Sequence, residues 1–63
     1  MTKINSYWDV VNRLNEGLER TEEELKKCYH WIVEYAAANQ LSIQQMDELC
    51  WKDSVWIFEQ IFN

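Results

Sequence analysis

A chain of 63 residues with 48 % apolar side chains, 11 acidic and 6 basic groups and a formal charge of -5 has room for one domain at most. A monomer of that size leaves its core marginal unless a metal, disulfides or a partner contribute, and its acidic balance favours basic partners over phosphate backbones. No run approaches the ~20 apolar residues of a membrane span, and the start "MTKINSYWDVV" has no basic region leading into an apolar segment, so a cytoplasmic, non-membrane protein is the expectation.

The first helix starts after Asn5 or Ser6, where Ser6 and Asp9 form a capping box, and Trp8, Val11 and Leu14 continue an apolar stripe flanked by Tyr7, Val10 and Leu18. Gly17, the single glycine, takes a left-handed backbone without a side-chain penalty, which predicts a helix ending near Glu16. An uninterrupted helix through Gly17 is the alternative. Thr21 restarts the pattern in "TEEE": its hydroxyl accepts from the free amides of the next turn, Glu24 reaches back, and Glu22 and Glu23 face the positive end of the helix dipole. A helix from Glu22 to about Ala38 follows, with Leu25, Cys28, Tyr29, Ile32 and Ala36 inward, Trp31, Val33 and Tyr35 widening that face, and Asn39 as a left-handed terminator.

Ser42 with Gln45 opens a short third helix whose Ile43, Met46, Leu49 and Cys50 face inward. Asp53 or Ser54 caps a last helix through Phe62, with Val55, Phe58, Ile61 and Phe62 on one face and Trp56 at its side, open to solvent. The stretch "SVWIFEQIF" has no turn dipeptide to supply a hairpin partner, which argues against a strand. The predicted fold is all-α: one domain over residues 1–63, a bundle of three to four helices, two long and then two short, completed by dimerisation.

The stretch "ANQLSIQQMDEL" has the outline of the turn and second helix of a helix-turn-helix. Gln44 and Gln45 would read adenine edges, Ser42 would reach phosphate and Lys52 would add the nearest positive charge. Electrostatics oppose that use. Asp47 and Glu48 lie within the same segment, no base occurs in it before Lys52, and the corner lacks the usual glycine.

The metal-ligand types Cys28, His30, Cys50 and Asp53 do not form a site on this pattern, because Cys28 and His30 are two apart on a helix and point to different faces. The same angle separates them as a nucleophile and base. Cys28 and Cys50 read as small core hydrophobes in a reducing compartment, and the glutamate pairs lie on a polar face that leaves both carboxyls ionised. No catalytic residue, metal or cofactor is expected.

Nine aromatic rings are more than a core this small encloses, so some belong at an interface. The candidate protein-binding residues are Glu16, Glu19, Glu22 and Glu23 for attraction to a basic surface and Trp8, Trp31 and Trp56 for retention. The functional expectation is a small regulator or inhibitor docking on another protein, which could itself be a nucleic-acid-binding protein deceived by a DNA-like array of carboxylates. A helix-turn-helix regulator and a structural subunit of a larger assembly are the alternatives. Self-association through Trp31, Tyr35, Val55 or Trp56 would compete for the same rings.

Overall fold

The computed structural model describes residues 4–63; Met1 to Lys3, the first part of the segment read for a leader, lie outside them. Four helices follow one another: α1 (Tyr7–Leu14), α2 (Glu22–Ala38), α3 (Ile43–Lys52) and α4 (Ser54–Phe62). Only α2 is long. The first half therefore holds one short and one long helix, not two long ones.

Each of the first three helices opens with a reciprocal capping box, Ser6 with Asp9, Thr21 with Glu24 and Ser42 with Gln45, at the positions the sequence indicates. These bonds satisfy amide groups that have no partner inside the first turn. The Asn5 amide holds the Asp9 carboxyl below its ordinary range, and the Thr21 amide does the same for Glu24.

The helix ends depart from the sequence reading. α1 stops at Leu14 because Asn15, buried, turns inward: its Nδ2 donates to Val11 O at 2.9 Å and, more weakly, to Cys28 Sγ at 3.8 Å. Gly17 does adopt a positive φ of 81°, in a turn closed by Leu18 N donating to Asn15 O. At the end of α2 the left-handed residue is Gln40, with φ 54°, whereas Asn39 stays at φ -106°. Leu41 N donates to Ala36 O and Gln40 N to Ala37 O, a Schellman motif that places Leu41 against the core and leaves the left-handed step one residue later than expected.

Helix α1 packs on both α2 and α3, and α4 lies on α2 and α3. The core contains Ile4, Val10, Val11, Cys28, Ile32, Ala36, Met46, Cys50, Ile57 and Ile61. Both cysteines are free and buried, as small hydrophobes. Burial pushes the Cys50 thiol up to about 12, assisted by the nearby negative charge of Asp47, and raises that of Cys28.

Helix α4 is the largest correction. Val55, expected inward, is 71 % exposed, and Ile57 takes the buried position with Ile61. Six of the nine residues of "SVWIFEQIF" are apolar, so a stripe through 55, 58 and 62 and another through 57 and 61 both satisfy helical spacing. Packing on α2 and α3 selects the second. Phe58 and Phe62 are instead half-buried beneath Arg20, whose guanidinium carbon lies 4.8 and 4.6 Å from their ring centroids. Asp53 occupies the N-cap position without a side-chain cap bond, and Ser54 is already inside the helix.

Candidate protein-binding surface

On α2, Trp31 and Tyr35 are one helical turn apart, and their rings stack with centroids 4.7 Å apart and 13° between planes. Trp56 of α4 meets both edge-on, 5.9 Å from each, at 72° to Trp31 and 69° to Tyr35. Positive ring edges thus approach negative ring faces, an arrangement worth about 0.5–1.5 kcal/mol per pair beyond area burial. The cluster is ordered by its own contacts yet stays accessible. Trp56 is 42 % exposed, Val55 beside it more so, and Trp31 and Tyr35 are half-buried.

Trp8, 43 % exposed, does not join this cluster. It stacks on Tyr29 of α2 at 4.4 Å. Tyr29 and Trp31 are two residues apart, roughly 200° around a helix axis, so the two aromatic groups flank α2 on opposite sides, with the buried seam of Cys28, Ile32 and Ala36 between them and the exposed face of Lys26, His30 and Glu34 opposite the seam. The three tryptophans named from sequence therefore make two separate surfaces.

The candidate carboxylates group around the α1–α2 connection and the first turn of α2. Glu22 pairs with Lys26 at 3.6 Å, while Glu16, Glu19 and Glu23 are exposed without an ion-pair partner among the described residues. Those three carry the unpaired negative charge of this region among the described residues. Glu24 is instead occupied by Thr21 and by Arg20 at 3.7 Å.

The helix-turn-helix residues have other engagements. Ser42 and Gln45 close the capping box on each other, and Lys52 Nζ lies 2.7 Å from Glu48, which holds the Glu48 carboxyl below its ordinary range. Gln44 is exposed and makes no side-chain bond within the described residues. Asp47 turns toward α1 and pairs with Arg13 at 3.1 Å.

His30 is exposed while Cys28 and Cys50 are buried, so the candidate ligand set is split between surface and core. No group of three or more metal-ligand side chains occurs among the described residues. No described helix is long and apolar enough to cross a membrane.

Trp51, outside the three tryptophans singled out for retention, is the most exposed large apolar side chain among the described residues, at 74 %. It forms one wall of a cleft of about 240 Å³ between the end of α1, α3 and the start of α4, with Leu14 and Cys50 below and Arg13, Glu16 and Asp47 around it. Its exposure was legible, since it falls outside the Met46 and Cys50 stripe of α3. The cleft was not, because three separate helices contribute to it.

No protein-family model matches this chain, and no curated protein or solved structure is significantly similar to it.

Proposed function

We propose that the chain is a small, non-enzymatic, cytoplasmic regulator or inhibitor that works by docking on another protein. The aromatic face of Trp31, Tyr35 and Trp56, continued by Val55, carries this reading: an ordered cluster with an accessible tryptophan is the kind of anchor that dominates protein interfaces. Glu16, Glu19 and Glu23, with Glu22, steer it toward a basic surface, and Trp8 adds a second contact on the other side of α2. A nucleic-acid-binding protein is a partner of suitable charge. Self-association is part of the same reading, because a 63-residue chain with five exposed large apolar side chains among its described residues gains from a second copy.

Capture of partners by the tagged protein from nuclease-treated lysate tests the reading. A stoichiometric partner that survives nuclease, and is weakened by Glu19→Lys with Glu23→Lys and by added salt, supports it. Loss of every partner on nuclease treatment would instead favour nucleic-acid contact through the α2–α3 corner, and binding unchanged across ionic strength in the charge-reversed variant would reject the steering role of the carboxylates.

A further inference from the structure

Trp51 is set apart from the other tryptophans. Trp8, Trp31 and Trp56 each contact another ring, whereas no ring of the described residues contacts Trp51. The adjoining cleft, about 240 Å³, is smaller than the ~300–1,000 Å³ usual for small-molecule sites and suits one large side chain. A knob and a hole of matching scale therefore stand side by side on one surface.

The charges around the cleft are of both signs. Arg13 Nη1 lies 3.1 Å from Asp47 Oδ2 as an ion pair, and its side chain remains 45 % exposed with donors available. Glu16 is exposed and has no ion-pair partner among the described residues. In a two-fold contact a residue of one copy meets its complement on the other and the reverse contact follows, so a surface carrying an accessible cation, Arg13, beside an unpaired carboxylate, Glu16, complements itself. The run from Glu19 to Glu23 cannot do this: two copies meeting there would place carboxylate against carboxylate across a chain of net charge -5.

We propose that this cleft is a self-association surface: a second copy of the chain inserts its Trp51 there, its own cleft receives the first copy's Trp51, and Arg13 of each copy pairs with Glu16 of the other. The inference rests on the self-association included in the reading above and gives it a place. Ser54 at the cleft and Trp56 on the aromatic face are two residues apart on α4, so they lie on different sides of that helix. A dimer joined at Trp51 consequently leaves both aromatic faces open and presents two of them, which strengthens binding to any partner with repeated sites.

Sedimentation velocity over a dilution series tests this with the full chain and the variants Trp51→Ala, Glu16→Arg and Trp56→Ala. All three positions are exposed, and circular dichroism confirms that each variant folds. The expected result is a species of twice the 7.7 kDa chain mass whose dissociation constant rises about tenfold or more with Trp51→Ala and with Glu16→Arg, as truncation or repulsion at an interface centre predicts, and is unmoved by Trp56→Ala. A dimer unaffected by Trp51→Ala but lost with Trp56→Ala overturns the placement and leaves self-association standing on the α2–α4 face. A chain that remains at 7.7 kDa throughout overturns both.

Discussion

Ser6, Thr21 and Ser42 each open a helix by exchanging hydrogen bonds with the residue three positions on, whereas α4 begins at Ser54 with no side-chain cap and a single residue separating it from α3. The first three helices are specified locally. The fourth takes its place from what it packs against: Ile57 and Ile61 in the core, Phe58 and Phe62 under Arg20, and Trp56 edge-on to two rings of α2. Arg20 is itself fixed by donating to Asn15 Oδ1 at 3.2 Å and pairing with Glu24, so the α1–α2 connection acts as a clasp on α4. The helix with the weakest local signal presents two exposed large apolar side chains, Val55 and Trp56.

This contrast can be broken most severely from within the core. Ile57→Ala should cost about 2–5 kcal/mol, because a fully buried isoleucine leaves a cavity, while Val55→Ala two residues away should stay within about 0.5 kcal/mol. Urea unfolding of the two variants measures the difference. Equal losses would contradict the helix register. Ile32→Ala, in the buried seam of α2, should fall in the same 2–5 kcal/mol range, roughly, and an unchanged urea midpoint would reject its core placement.

A smaller effect separates the clasp from the caps. Arg20→Ala removes the cation above Phe58 and Phe62 and the bond to Asn15, for a loss of roughly 1–2 kcal/mol. Amide exchange should accelerate in α4 ahead of α1; uniform acceleration would show that Arg20 does not act on α4 selectively. Thr21→Ala should cost about 1 kcal/mol by thermal or urea unfolding, whereas Asp53→Ala, which removes no cap bond, should cost less.

Acid and alkali act on different parts of the molecule. The lowered carboxyls of Asp9 and Glu24 contribute stability that is present above their ordinary values of 3.8 and 4.5 and lost as pH falls through the lower folded values. The raised thiol of Cys50 has the opposite sign: its contribution is complete below the ordinary 9.0 and declines as pH rises toward about 12. Urea midpoints across pH should therefore fall at both extremes. With Cys50→Ser the alkaline decline should shrink, and an unaltered alkaline limb would exclude Cys50 as its source.

The sequence made the caps legible because each needs only a residue and its neighbour three positions on, as in Ser42 with Gln45. Which of two stripes α4 buries was not legible, since Val55 and Ile57 are both apolar and only packing chooses between them. The end of α2 shifted for a similar reason: Leu41 seeks the core, and the chain reaches it with Gln40, not Asn39, in the left-handed turn. Trp56 is exposed as expected, but its assembly with Trp31 and Tyr35 depends on α2 and α4 lying side by side, and Trp8 is carried to the opposite side of α2 by α1.

Trp8 and Trp56 are almost equally exposed, so comparing them separates the aromatic face from mere exposure. The direct measurement is stoichiometric partner capture by Trp56→Ala and Trp8→Ala, each verified as folded, against the unaltered chain in nuclease-treated lysate. Docking through the Trp31–Tyr35–Trp56 face predicts that Trp56→Ala loses most of the captured partner and Trp8→Ala retains the larger share. Undiminished capture by Trp56→Ala would contradict it.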